Sequence, residues 1–122
     1  MKYLCLVYYD ETKMGNLSQT QWDDLNQECI ACVEGLTTAG NFIDGAPLMT
    51  TDTALSVRIR DDKPLITDGP FAETKEQLAG FYMLEARDMN DALRLAQKIP
   101  PARYGTVEVR PVRELKHDGN DR

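Results

Sequence analysis

The chain has 122 residues, 42% of them hydrophobic, and a net charge of −6 at neutral pH. This length suffices for one domain with a real core, and the interspersed charges of both signs are typical of a globular chain. The acidic balance argues against a nucleic-acid binder and against docking on an anionic membrane. We therefore expect a single domain over residues 1–115 and a polar tail over residues 116–122.

The apolar run at the N-terminus predicts a buried first strand over Tyr3–Tyr8. It is much shorter than the ~20 apolar residues of a membrane-spanning helix. It also lacks the basic region and the small-residue cleavage site of a signal peptide, and acidic Asp10 and Glu11 follow shortly after it. These features favour a cytoplasmic protein.

A long helix is predicted after the first strand. Ser18 is a suitable N-cap, and Gln21 three residues later completes a capping-box pattern. The apolar period continues to about Ala39, and Gly40 is suited to the position that follows a helix.

The three cysteines, Cys5, Cys29 and Cys32, do not suggest a disulfide framework, because the count is odd. Cys29 and Cys32 share one helical stripe with Trp22, Leu25 and Leu36. A mid-helix pair without a partner Cys–His cluster favours core packing over a redox or zinc site. We expect both thiols to be buried, and we expect no metal or cofactor.

The remaining elements alternate between strands and one helix. The sequence predicts a short strand over Asn41–Ile43, a turn over Asp44–Pro47, a hairpin of Leu55–Arg60 with Leu65–Thr67, a strand over Gly80–Glu85, a helix capped by Asp88 and ended by Pro100–Pro101, and a last strand over Thr106–Val112. This order indicates an α+β, ferredoxin-like sandwich with both helices on one face of the sheet.

The most informative segment is Asp68–Glu76, DGPFAETKE, which we call the signature segment. It combines a glycine–proline turn with four ionisable side chains between two strand-like segments. Long charged connections between rigid elements are places where sites are commonly built. With the residues that follow, DGPFAETKEQLAGFY resembles the hallmark of the DGPF group of YCII-related proteins, which are small bacterial proteins.

The resemblance covers nearly the whole chain. It includes Met1–Leu4, Ser56–Arg60, the signature segment, Ile99–Arg103 and Val107–Val112. It implies a dimeric α+β barrel, in which the sheets of two subunits face each other in a homodimer. The characterised members resemble lyases that use a His–Asp pair. This chain departs from them, since its lone histidine, His117, lies in the predicted tail.

Within the signature segment, Asp68 is a candidate general base, with its carboxylate partly shielded by Phe71 and Phe81. Lys75 would hold an anionic group of a ligand, and Glu73 is a further candidate for binding it. The alternative is structural: Asp68 caps the turn, and Glu73 and Lys75 form ordinary ion pairs.

Arginines on two predicted strands form a second set of candidates. Arg58 and Arg110 fall on alternating polar positions, where an arginine can bind a carboxylate or phosphate through two hydrogen bonds. Arg60 and Glu108 share these faces, and cross-strand Arg–Glu pairing is the alternative. Tyr8, Trp22 and Tyr82 would line a pocket or be half-buried core residues.

Two functions are consistent with these residues. The first is a small-molecule site, either binding or catalytic, at the dimer cleft beside the signature segment. The second is a regulatory role without catalysis, since proteins resembling this chain are linked with extracytoplasmic-function sigma factors. In that case the charged segment would contact a partner protein.

Overall fold

A computed structural model of the chain describes residues 1–116. The elements in chain order are β1 (Lys2–Tyr9), α1 (Glu11–Met14), α2 (Gln19–Thr38), β2 (Phe42–Pro47), β3 (Leu55–Arg60), β4 (Lys63–Asp68), β5 (Gln77–Glu85), α3 (Met89–Ala96) and β6 (Thr106–Pro111), with 3₁₀ turns at Thr51–Thr53 and Pro100–Arg103. The predicted tail beyond residue 116, including His117, lies outside the described residues.

The main sheet has four antiparallel strands in the order β2-β5-β1-β6, with β1 between β5 and β6. Alternate residues of β1, including Cys5 and Val7, are buried in a core with Leu84 of β5 and Leu95 of α3. The α+β class is confirmed, and the strand order is compatible with a ferredoxin-like sandwich. No helix within residues 1–116 is long and apolar enough to cross a membrane.

Helix α2 begins and ends as the sequence predicts. The Ser18 hydroxyl accepts a hydrogen bond from the Gln21 backbone N–H at 3.1 Å, and the Gln21 side chain accepts one from the Ser18 N–H at 2.8 Å. Gly40 follows the helix with φ of +82°. The reciprocal bonds satisfy two donors at the helix start, and the glycine takes a backbone conformation that other residues adopt only with strain.

The predicted turn over Asp44–Pro47 is wrong, because these residues belong to β2. Gly45 lies beside Tyr82 in the sheet, and a Cβ placed on it would be 2.7 Å from the Phe81 carbonyl oxygen. The glycine therefore permits a close approach between β2 and β5 instead of a reversal of the chain. Short α1, capped by the Asp10 carboxylate, was also not predicted.

Strands β3 and β4 form a separate two-stranded sheet, and we call this hairpin, Leu55–Asp68, the arm. Its two-residue turn, Asp61–Asp62, has φ of 51° and 62°, the positive values that tight hairpin turns require. One face carries apolar side chains that are 60–69% exposed: Leu55, Val57, Ile59 and Ile66. The arm thus presents to solvent an apolar face of the kind that a sheet normally buries.

Two further contacts are specific to single residues, Gly105 before β6 and Asp91 in α3. A Cβ placed on Gly105, just before β6, would lie 2.0 Å from the Tyr8 carbonyl oxygen, so only glycine allows β6 to start against β1. In the first turn of α3, Asp91 is 6% exposed and accepts hydrogen bonds from the Arg87 backbone N–H at 3.0 Å and from the Arg94 guanidinium at 2.8 Å. These bonds hold the pKa of the Asp91 carboxyl far below its ordinary value.

Candidate functional site

A cavity of about 410 Å³ lies between α2 and the sheet. Its walls are mainly apolar and come from the inner side of α2 and from β1, β2 and β5. The aromatic residues that line it are Tyr9, Trp22, Phe42, Phe81 and Tyr82. The edge of the Phe42 ring meets Tyr82, with ring centres 6.3 Å apart and planes at 87°. This volume and lining are typical of a site for a small organic molecule.

Two half-buried polar groups, the Cys29 thiol and the Tyr82 phenol, belong to the cavity wall. Desolvation raises the pKa of Tyr82, and the neighbouring thiols of Cys29 and Cys32 raise it further. Burial also raises the pKa of Cys29, while the hydrogen bond with the Tyr82 side chain lowers it. Both groups are therefore uncharged at neutral pH, which suits them to hydrogen bonding and not to nucleophilic attack.

The exposed rim of the cavity is polar on the α2 side. Asn26 and Glu34 lie there, and no lysine, arginine or histidine of residues 1–116 lines the cavity. The nearby Arg103 guanidinium is paired with the Glu28 carboxylate. The cavity therefore has an acidic group at its rim and no cation in its wall.

The signature segment lies outside this cavity. Asp68 ends β4 with an exposed side chain, and its carboxylate accepts no hydrogen bond within residues 1–116. The turn is held by neighbouring groups: the Gly69 N–H donates to the Ala54 carbonyl at 2.7 Å, and the Ser56 hydroxyl donates to the Gly69 carbonyl at 2.7 Å. Gly69 has the positive φ, +88°, that its position in the turn requires.

The other candidates beside Asp68 are also exposed. Arg58, Glu73 and Lys75 form no side-chain hydrogen bond or salt bridge within the described part of the chain, and none of them lines the cavity. Phe71 is 82% exposed and does not shield the Asp68 carboxylate. Of the residues predicted for a site beside the signature segment, Phe81 alone lines the cavity. Of the three aromatic residues predicted separately as pocket or core residues, Trp22 and Tyr82 line it and Tyr8 does not. The single chain thus leaves the predicted charged residues on an open surface.

The second predicted set is divided between the arm and the main sheet. Arg110 of β6 is paired with Glu108 two residues away on the same strand. Arg58 and Arg60 lie on the arm, where the Arg60 guanidinium donates to the neighbouring Ile59 carbonyl. The Arg110–Glu108 pair follows the structural alternative considered above, although it joins residues of one strand and not of two.

The expectation that Cys29 and Cys32 are buried is wrong in degree, since both are half-buried and Cys5 alone is fully buried. Burial raises the pKa of Cys5 to about 11. Cys32 packs against the core, whereas Cys29 faces the cavity. No cluster of metal-binding side chains occurs within residues 1–116.

Sequence reasoning missed part of the cavity wall. Asn26, Ile30, Val33 and Glu34 lie on α2 beside the predicted core stripe. The available signal was the pair Ile30 and Val33, two apolar residues outside that stripe, which widen the apolar face of the helix. When the apolar face of a helix is wider than core packing requires, the extra apolar residues indicate a further contact, here with the cavity.

Comparison with known proteins assigns this architecture to a family. A model of the YCII-related domain matches residues 1–116. An uncharacterised protein of Rhizobium meliloti (strain 1021) is 33% identical over 114 residues, which cover 92% of each chain. The similarity extends over both the cavity and the signature segment.

Proposed function

The chain belongs to the YCII-related family, and on this premise we propose that it binds a small molecule in the cavity beneath α2. The cavity itself carries the proposal, because about 410 Å³ with apolar walls and few polar groups matches the size and lining of small-molecule sites. Such a volume accommodates about a dozen non-hydrogen atoms. Ligands of that size bind with Kd values of roughly 10–1,000 μM.

The test uses Trp22, the sole tryptophan of the chain, which lines the cavity. Its indole N–H gives a single tryptophan side-chain resonance in a proton–nitrogen NMR spectrum, so a fragment library can be screened without full assignment. Binding fragments should shift this resonance and should saturate. A library of several hundred fragments that leaves it unmoved contradicts the proposal.

A matched pair of variants locates the binding. Val33→Phe places a ring in the cavity wall and should abolish the shift, whereas Ala31→Phe introduces the same ring at an exposed position of α2 outside the lining. Both variants should keep the wild-type melting behaviour within a few degrees, because the ring at position 33 enters the cavity and position 31 is exposed. Equal loss of binding in both variants would place the ligand elsewhere.

We also propose that the protein is a homodimer. The exposed apolar face of the arm supports this, as do the partly exposed Leu4, Leu6 and Met83, which lie on the side of the main sheet opposite the core. One twofold interface is the commonest arrangement that covers such surfaces on both copies. A DGPF-type site with Asp68 and Arg58 would then need walls from the second subunit, and it remains part of this proposal.

The alternative function is regulatory, through a protein partner linked to extracytoplasmic-function sigma factors. The observation that favours it is again the arm, because an exposed apolar face with Arg58 and Arg60 on the reverse side also suits a protein partner. A monomeric protein in solution, together with an empty fragment screen, would favour this alternative. The free thiols are typical of a reducing compartment, and we propose a cytoplasmic setting.

A further inference from the structure

We infer that the cavity beneath α2 selects an uncharged, flat aromatic molecule with one hydrogen-bonding group, and that it rejects the corresponding anion. This inference rests on the proposed binding function and specifies the chemical class of its ligand. It differs from the expectation drawn from Lys75 and Arg58, which would favour an anionic ligand.

The first argument is the shape and chemistry of the walls. Aromatic rings from four elements surround the space: Tyr9 of β1, Trp22 of α2, Phe42 of β2 and Tyr82 of β5. Aromatic side chains bind a flat ring through offset stacking and edge-to-face contacts. Aliphatic residues such as Leu25 and Val33 complete the apolar wall. A flat ring therefore contacts more of this surface than a branched or strongly polar molecule does.

The second argument is charge. A carboxylate that enters an apolar cavity loses its hydration, and it needs a cation or several N–H groups as compensation. The described lining contains no lysine, arginine or histidine. Glu34 lies at the rim, and α2 carries no basic residue that would offset its charge. An anion would thus meet repulsion at the entrance and no cation inside.

The third argument concerns the hydrogen-bonding group. The Tyr82 phenol and the Cys29 thiol are neighbours in the wall and are less exposed than Asn26 and Glu34. A neutral phenol both donates and accepts hydrogen bonds, so it pairs with a hydroxyl or a carbonyl of the ligand. The phenol and the thiol already interact with each other. A ligand without such a group would therefore forgo the further hydrogen bond that the phenol can make.

The experiment compares three probes that share one phenylpropenyl frame and differ in the terminal group: cinnamyl alcohol, cinnamylammonium and cinnamate. The Trp22 indole resonance reports each titration at neutral pH. We expect the alcohol to bind at least about tenfold more tightly than cinnamate, with the ammonium compound weaker than the alcohol because its charge is also desolvated. Tyr82→Phe should weaken the alcohol several-fold while leaving the melting temperature within a few degrees.

A charge variant tests the reason for the selectivity. Glu34→Gln should narrow the preference for the alcohol over cinnamate by a factor of about two to five, because it removes the rim charge. Asp24→Asn removes the same charge from an α2 position outside the lining and should leave the preference unchanged. If alcohol and cinnamate bind equally, or if cinnamate binds better, the selectivity is refuted while the binding function stands. If no probe and no library fragment binds, both are refuted.

Discussion

The arm offers a sharp test of the proposed homodimer through two neighbouring residues. Ile66 and Thr67 are adjacent on β4 and point to opposite faces, with Ile66 paired across the arm with Val57 and Thr67 with Ser56. Ile66 is 68% exposed in the single chain. Ile66→Lys places a charge on the apolar face, and Thr67→Lys places the same charge on the polar face.

The expected magnitude follows from burial and symmetry. Covering an isoleucine side chain stabilises an interface by about 1.5–3 kcal/mol. A twofold interface counts each substitution twice, so Ile66→Lys should cost about 3–6 kcal/mol, or a rise in the dimer dissociation constant of roughly 10²–10⁴-fold. Thr67→Lys should change it by less than about threefold. In the single chain both positions are exposed, so the free energy of unfolding of either monomer should change by at most about 0.5 kcal/mol.

Sedimentation equilibrium over a hundredfold range of protein concentration measures both dissociation constants, with circular dichroism as a check on folding. The wild type and Thr67→Lys should give a dimer mass in the micromolar range, where Ile66→Lys gives a monomer mass. A monomeric wild type refutes the homodimer. A dimeric Ile66→Lys with an unchanged constant shows that the arm lies outside the interface.

Three further predictions concern stability. Gly105→Ala should lower the free energy of unfolding by about 2 kcal/mol or more in urea titrations, because its Cβ would collide with the Tyr8 carbonyl; a change below about 0.5 kcal/mol would contradict this reading. Gly69→Ala should lower the free energy of unfolding by about 1–2 kcal/mol, because alanine is strained at the positive φ of this position. Asp68→Asn should change the free energy of unfolding by less than about 0.5 kcal/mol, and a larger loss would indicate that Asp68 caps the turn. The pKa of the Asp91 carboxyl is depressed, so its ionised form stabilises the fold at pH values above the ordinary pKa of 3.8, and this stabilisation is lost as the pH falls below that value. The melting temperature of Asp91→Asn should therefore depend less on pH between pH 2 and about 6 than that of the wild type. An identical pH dependence in both proteins would exclude the contribution.

Much of the fold was predictable because local chemistry and the final structure agree. The Ser18 cap, the Gly40 terminus and the Asp88 cap each satisfy backbone groups within a few residues. Strict alternation along β3 likewise predicts its two faces. The turn predicted over Asp44–Pro47 is wrong because the local sequence resembles a turn, whereas glycine is required at position 45 by the Phe81 carbonyl, which is distant in the sequence.

The site was harder to predict because the cavity is a gap between elements and not a motif. No residue pattern specifies how far α2 stands from β2 and β5, so the role of Cys29 as wall and not core could not be read from its helical spacing. The signature segment, on which the functional prediction was based, is a turn whose Asp68, Glu73 and Lys75 are exposed in the single chain. In the proposed homodimer its role would depend on a second subunit, whose position cannot be derived from the sequence.

The position of β1 in the sheet has a consequence for how the chain is made. Both neighbours of this first strand come from the second half of the chain, with Tyr3 opposite Leu84 on one side and Pro111 on the other. At a synthesis rate of roughly 5–20 residues per second, Pro111 follows Tyr3 by about 5–20 s. The arm pairs locally and can close as soon as Asp68 has emerged. A nascent chain therefore carries the folded arm, with its apolar face, while β1 is still unpaired. The two can mispair until β5 has been synthesised and pairs with β1.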